Sequence, residues 1–200
     1  MKLLLASASP RRAELLTQAG IPFRVEVPLI NETGEKSSTP RGLVLKLARK
    51  KALEVSARVQ DRYILAADTI VMHDGEVIGK PVDEADASRM LVRLSGRKHE
   101  VYTGLALLDA SSGRLENGAA VTSVWMKELS TLHIRNYVAT GEPFDKAGAY
   151  AIQGFAGLFI ERLEGCYTNV VGLPLSLLYD LLMRSNYNIW LNRKDGVNAQ

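Results

Sequence analysis

The sequence is short of the residues that staple or metallate small proteins. One cysteine, Cys166, stands in 200 residues. That excludes an internal disulfide and any cysteine-rich metal knuckle, and it agrees with a reducing compartment. His73, His99 and His133 are the only histidines, and they are scattered without ligand spacing. Long apolar runs are missing as well. No window approaches the roughly 18 uninterrupted apolar residues of a membrane span. The most apolar late stretch, 170–182, contains Pro174 and Asp180 and reads as core. Residues 1–9 briefly imitate a secretory signal, but the apolar part is short and Pro10-Arg11-Arg12 interrupts it. A cytoplasmic protein is the expectation. The familiar catalytic loops are also absent: Gly-x-x-x-x-Gly-Lys-Ser/Thr, Gly-x-Gly-x-x-Gly after a strand, His-Glu-x-x-His and Gly-x-Ser-x-Gly. P-loop, dinucleotide-fold, zincin and serine-hydrolase chemistry are set aside accordingly.

A large excess of one charge is lacking too. Twenty-five basic residues face 22 acidic ones, for a net charge of +3 and a pI of about 9.0. A nucleic-acid binder concentrates basic charge on one face or helix, whereas these charges are interspersed. No stable nucleic-acid binding is expected, although pI alone would suggest an RNA-binding protein. The small bias is compatible with an anionic small ligand. What remains is ordinary globular composition, 46% hydrophobic and 24% charged, enough for one core or two lobes sharing a sheet.

Strand-like and helix-like segments alternate, and long strands then pair, which predicts an α/β or α+β domain. Residues 2–6 read as a short buried strand. Ser9 offers a helix N-cap and Pro10 a first helical residue, with Gly20 closing the helix. Residues 23–27 alternate like a strand. Thr39-Pro40 opens an amphipathic helix through Leu43, Leu47, Ala48, Ala52 and Val55. Residues 63–72 form a strand, and Asp74-Gly75 turns it into 76–78. A helix over 83–94 ends at Ser95-Gly96. Long strands over 100–109 and 119–127 follow, then a helix capped by Ser130. Strands over 158–163 and 166–171 flank Glu164-Gly165, and the last helix spans 175–184. The polar tail beyond Trp190 is expected to be loosely held.

Four places could carry chemistry. Ser7-Ala8-Ser9-Pro10-Arg11-Arg12 is a strand-to-helix loop, and unpaired amides at a helix start receive phosphates well. A capped helix with two exposed arginines is the plainer alternative. Asp68, in Ala67-Asp68-Thr69, interrupts an apolar strand where a carboxylate is costly to bury without a partner or metal. Glu32 could supply a second oxygen ligand; alone it reads as a solvated loop residue. Lys80, before Pro81, and Lys51, in the run Arg49-Lys50-Lys51, are cations in suggestive positions, although charge runs on helices are usually solvated faces. Lastly, Lys146-Ala147-Gly148-Ala149-Tyr150-Ala151-Ile152-Gln153-Gly154 permits close ligand approach through its glycines. Its Gln153 offers a donor and an acceptor. A tightly packed strand and turn is the alternative there.

Taken in order, these segments resemble the Maf family, the septum-formation-inhibitor-like nucleoside triphosphate pyrophosphatases. The matching residues are Ser7-x-Ser9-Pro10-Arg11-Arg12, Glu32, Ala48-Arg49-x-Lys51-Ala52, Ala67-Asp68-Thr69, Gly79-Lys80-Pro81 and Ser95-Gly96. They continue with His99-x-Val101-x-Thr103-Gly104, Gly141-Glu142-Pro143, Asp145-Lys146-Ala147-Gly148 and Val171-Gly172-Leu173-Pro174. The resemblance implies an α/β fold of the Maf/ITPase-like kind: an elongated mixed β-sheet flanked by helices, with two lobes around a cleft. It covers 1–185 as a single domain and leaves 186–200 as a tail of no assigned role. A homodimer is implied, as are a divalent cation, magnesium or manganese, and cleavage between the α and β phosphates. The stretch 146–154, with its Gln153, looks like the branch acting on dTTP and UTP; the 7-methyl-GTP branch typically carries a more polar stretch without this glutamine. By the same match Asp68 is the expected general base, and Arg12, Thr69 and Gln153 are expected to govern substrate choice. Asn31 departs from the pattern, standing where an acidic residue often precedes the glutamate.

The mechanism expected of these residues is in-line attack by water on the α-phosphorus, with pyrophosphate leaving. A cation held by Asp68 and Glu32 would bridge phosphate oxygens; alternatively Asp68 takes the water's proton. Arg12, Lys51 and Lys80 would offset the triphosphate's charge, while Ser7, Ser9 and Arg11 complete the phosphate-binding loop. Two other readings stay open from sequence: the same chemistry on other or modified nucleotides, and a nucleotide-binding regulator of cell division with little turnover.

Overall fold

The computed structural model of the chain describes residues 3–32 and 34–190. Residues 3–6 carry nothing but apolar side chains, and all four are fully buried. Such continuous apolarity marks a strand covered on both faces. This strand, β1 (Leu3–Ala6), pairs in parallel with β2 (Phe23–Glu26) on one side and β3 (Tyr63–His73) on the other. Parallel neighbours need a crossover between them, and helices α1 (Pro10–Gln18) and α2 (Pro40–Ser56) occupy the two connections. The Asp74-Gly75 turn returns β3 into the antiparallel β4 (Glu76–Ile78), and α3 (Glu84–Leu94) follows. The long strands β5 (Lys98–Asp109) and β6 (Arg114–Met126), then β7 (Ile160–Glu164), complete a seven-stranded mixed sheet. Its order is β2-β1-β3-β5-β6-β7, with β4 on β3. Helices α4 (Thr131–Val138), α5 (Tyr167–Val171) and α6 (Leu175–Arg184), with three short 3₁₀ turns, complete the elements among the described residues. Among those residues no helix is long and apolar enough to cross a membrane.

The helix starts follow the local chemistry. Thr39 and Ser130 accept hydrogen bonds from the amides of Gly42 and His133 at the starts of α2 and α4, and Asp83 does the same for Asp86 in α3. Two expectations are corrected. Residues 166–171 are not a strand: 167–171 form α5, where the buried Asn169 side chain donates to the carbonyl of Val101 and the hydroxyl of Thr122. These two bonds from the side-chain NH₂ outweigh the strand preference of its β-branched neighbours, while Oδ1 of Asn169 stays buried without a hydrogen-bond partner among the described residues. The strand expected over 158–163 starts later, as β7 (Ile160–Glu164), because Phe155–Phe159 form a 3₁₀ turn; Ala147–Ala149 form another in place of the alternative strand at 146–154. The expected loose tail beyond Trp190 lies outside the described residues. Tyr187, within the stretch given no role, is buried with its ring edge-on to Tyr63 at 5.0 Å.

The chain divides into two compact units. One is drawn from Met1–Asp68, Gly104–Ala119 and Gly172–Gln200, the other from Thr69–Thr103 and Ala120–Val171. The first has a core of Leu4, Ala6, Ala48, Ala52, Val55, Ile64, Ala66, Ala106 and Leu108. The second is centred on Val71, Leu91, Leu94, Val101, Val124 and Tyr137.

Inside the second unit His99 is only 2% exposed, and its Nε2 lies 2.7 Å from the Tyr150 hydroxyl. Burial, and after it the nearby His73, pushes the His99 imidazole down to about 4. Burial also pushes the Tyr150 phenol up. An unfolded chain protonates this imidazole near its ordinary pKa of about 6.5, before the folded one does. The contribution of His99 to stability is therefore fully present above about 6.5 and is lost as pH falls toward 4, by on the order of 3 kcal/mol. Urea unfolding at stepped pH should show this slope in the native chain and a flatter one in His99→Gln. Identical slopes would place the titration elsewhere.

Candidate active site

Asp68 ends the first unit's share of β3. The strand is buried on both faces along 63–68, so its side chain is enclosed, and only 5% of the residue is exposed. Its Oδ1 accepts a 2.6 Å hydrogen bond from Nζ of Lys51, while Oδ2 is buried without a hydrogen-bond partner among the described residues. Leaving a carboxylate oxygen buried and unpaired costs about 1–3 kcal/mol or more. Such an atom calls for an explanation in a bound ion, a water or a catalytic duty.

Lys51 is 8% exposed and lies on the apolar stripe of α2, in step with the buried Val44, Leu47, Ala48 and Val55. That spacing of three and four residues was the available sign that this lysine points inward. Its membership of a charge run concealed it, and the solvated-face alternative is overturned. The same Nζ reaches Oε1 of Glu32 at 3.0 Å, so two carboxylates meet on one ammonium. Glu32 is the open side of this cluster, with 48% of its side chain exposed.

Arg12 in the first turn of α1 is held by its own chain. Nη1 donates to Oγ of Ser7 at 3.0 Å and to the carbonyl of Ala67 at 2.9 Å, and Nε donates to the carbonyl of Gly172 at 2.9 Å. Burial pushes the Arg12 guanidinium below its ordinary value, the negative charges of Asp68 and Glu32 oppose that, and Arg11 adds to it. The cation is thus fixed by three hydrogen bonds, one of them to the carbonyl of the residue that precedes Asp68. Sequence reasoning did not foresee the two backbone acceptors. Gly172 had appeared only as a motif glycine. Its φ of 113° lies where side chains are rarely tolerated, and the turn presents its carbonyl to Arg12.

Ser9 occupies the N-cap position of α1, but the expected side-chain cap is not formed. Its amide instead donates to Oγ of Ser7 at 3.2 Å. Ser7 is buried and collects bonds from both Ser9 and Arg12. The first-turn amides of α1 are consequently not consumed by the Ser9 hydroxyl, as a helix end that receives an anion requires. Arg11 stands beside them, half-buried.

The remaining expected site residues belong to the second unit. Oγ1 of Thr69 lies 3.0 Å from Oγ1 of Thr103, which donates its own proton to the carbonyl of Asn169. The Thr69 hydroxyl is therefore the donor of that pair. Lys80 is exposed between β4 and α3, and Gln153 is exposed in the loop before the 3₁₀ turn Phe155–Phe159.

Two likenesses place this architecture among known proteins. The structure of the Staphylococcus aureus Ham1 protein covers 92% of this chain, and all of that chain is matched, with a TM-score of 0.53 at 13% identity. At that identity the likeness concerns the fold, an open mixed sheet with flanking helices. The profile of the family described as Maf-like protein then matches residues 2–185. The dTTP/UTP pyrophosphatase of Pelotomaculum thermopropionicum is 48% identical over 188 residues, covering 94% of this chain and 98% of that protein. The dTTP/UTP pyrophosphatase of Geobacter sulfurreducens is 51% identical over 183 residues, 92% and 96% of the two chains. The chain belongs to the Maf family.

Proposed function

We propose that the chain hydrolyses dTTP and UTP to the nucleoside monophosphate and pyrophosphate, by attack of water on the α-phosphorus. The observation that carries the proposal is the buried Asp68. One of its oxygens is fixed by Lys51 and the other is unpartnered among the described residues, with Arg12 and Glu32 beside it. The names of the relatives supply the substrate class.

A divalent cation suits this donor set. Among the described residues no three His, Cys, Asp or Glu side chains converge on one point. Magnesium needs only one or two carboxylates, completing its shell with water and substrate phosphates. Asp68 and Glu32 are those carboxylates, and Oδ2 of Asp68 is the oxygen without a protein partner among the described residues. When bound there, magnesium or manganese supplies neutralising charge for the phosphate oxygens.

The chain's own residues do the rest. Lys51 turns Oδ1 of Asp68 toward itself and so directs Oδ2 away. There the carboxylate either takes the attacking water's proton or ligates the cation, and both duties require Oδ2 without a protein partner. Arg12 and the first-turn amides of α1 oppose the charge of the triphosphate. Ser7 holds Arg12 in place. Lys80 adds a further cation, Thr69 and Arg11 complete the substrate contacts, and Gln153 pairs with the carbonyl and N–H edge of a pyrimidine. A site built for such bonds rejects bases that leave its polar groups unpaired. A homodimer in the cytoplasm completes the proposal.

The test is the identity of the products from dTTP with magnesium. dTMP and pyrophosphate in equal amounts are expected. dTDP with orthophosphate contradicts the reading, and saturable binding without products turns it into a nucleotide-binding regulator.

A further inference from the structure

Gln153 sits on an exposed loop, and a side chain can select between bases only if its backbone is held still. The holding group is the carboxylate of Glu142, 13 residues before Phe155 in the chain. Glu142 opens a 3₁₀ turn (Glu142–Asp145) after Gly141. Its Oε2 accepts from the amide of Phe155 at 3.0 Å, and its Oε1 accepts from the amide of Ala156 at 3.4 Å and from the hydroxyl of Tyr137 at 2.8 Å. The turn Phe155–Phe159 has no side-chain cap from its own N-terminal residue, Gly154. Glu142 therefore satisfies the first amides of that turn from a distant point of the chain, as a capping carboxylate does. The approach is so close that a Cβ on Gly154 would collide with the carboxylate.

Glu142 is itself well fixed. Tyr137 is 1% exposed, and its ring stacks on Phe155 and meets Phe159 edge-on. The amide of Glu142 donates to the Thr140 hydroxyl, and its carbonyl accepts from Nζ of Lys146. On the other side of the loop, Tyr150 is tied to His99 and the amide of Gly154 donates to the carbonyl of Ala151. Gln153 thus stands between two anchored points, and on its C-terminal side the Glu142 carboxylate joins the Phe155 ring packing and the bond from the Gly157 amide to the carbonyl of Gly154.

We propose that Glu142 is a positioning residue for base selection: it clamps the loop 154–156 and so holds Gln153 in register for the pyrimidine. The proposal rests on the assignment of base reading to Gln153 made above. It predicts an effect on nucleotide affinity and choice rather than on the chemical step, because Glu142 bonds the loop amides and the Tyr137 hydroxyl, none of them assigned to the chemistry.

The experiment compares native protein with Glu142→Ala, Glu142→Gln, Gly154→Ala and Gln153→Ala, using dTTP, UTP and GTP, together with amide hydrogen exchange over 153–157. In Glu142→Ala, exchange at Phe155 and Ala156 should quicken and KM for dTTP and UTP should rise about tenfold. kcat should stay within about twofold, and the preference for dTTP over GTP should shrink. Glu142→Gln keeps one acceptor oxygen and should recover part of both effects. Gly154→Ala keeps the Glu142 side chain but displaces its carboxylate from the loop, and should reproduce the loss if Glu142→Ala folds poorly. A raised exchange rate with unchanged KM and preference would make Glu142 a structural residue only and overturn the proposal. Equal losses of kcat for all three nucleotides would do the same. An unchanged preference in Gln153→Ala would instead overturn the base-reading assignment, a result told apart by the Glu142 variants' own exchange data.

Discussion

Asp68→Asn is expected to fold normally and to lose pyrophosphate release from dTTP by about a thousandfold or more, within the range seen when a positioned acid or base is removed. The geometry makes the substitution unusually specific. The amide oxygen of Asn can still accept from Lys51 at the position of Oδ1, so the local packing is retained. Its NH₂ group then takes the place of Oδ2, where it can neither receive a proton nor ligate a cation. Removing one member of a buried ion pair normally strands the other charge at a cost of about 3–5 kcal/mol. Here Lys51 keeps Glu32 as a partner at 3.0 Å, so the penalty should be smaller. Circular dichroism and thermal melting check the fold, and released pyrophosphate checks the activity. A variant within about tenfold of the native rate would remove Asp68 from the chemistry.

Arg12→Ala should be the second most damaging change, lowering kcat/KM for dTTP by about a hundredfold to a thousandfold. A unit charge at about 4 Å from a phosphate oxygen contributes about 4 kcal/mol at an effective dielectric near 20, which sets the upper end. The substitution also releases Ser7, the carbonyl of Ala67 and the carbonyl of Gly172 from their shared donor. Arg12→Lys is therefore informative. A lysine restores the charge but not the fork that spans Gly172 on one side and Ser7 with Ala67 on the other. Steady-state kinetics should place Arg12→Lys between Ala and the native residue. Full recovery by lysine would mean that charge alone matters and that the three anchoring bonds do not.

Much of this site could be read in the sequence, for identifiable reasons. Asp68 stood out because a carboxylate within an otherwise apolar strand has few structural excuses, and the structure leaves one of its oxygens without a partner among the described residues. The helix start at Pro10 was legible from its proline, although the Ser9 hydroxyl does not close the cap. Lys51 was harder, because a run of three cations looks alike whichever face it covers. Only the helical spacing of its apolar neighbours sets it apart. The carbonyls of Ala67 and Gly172 could not be read at all: any residue supplies a carbonyl, and Gly172 meets Arg12 across 160 positions of chain. Glu142 was visible only as part of a motif, since its partners are backbone amides whose identity leaves no trace in the sequence. The misread segment 166–171 has the same cause, a side-chain amide whose acceptors lie far along the chain.

The central claim is that water reaches the α-phosphorus, and monophosphate with pyrophosphate would form from attack at either the α or the β position. Hydrolysis of dTTP in oxygen-18 water, followed by mass analysis of both products, separates the two. Attack at the α-phosphorus places the label in dTMP and leaves the pyrophosphate unlabelled. Label in the pyrophosphate would contradict it.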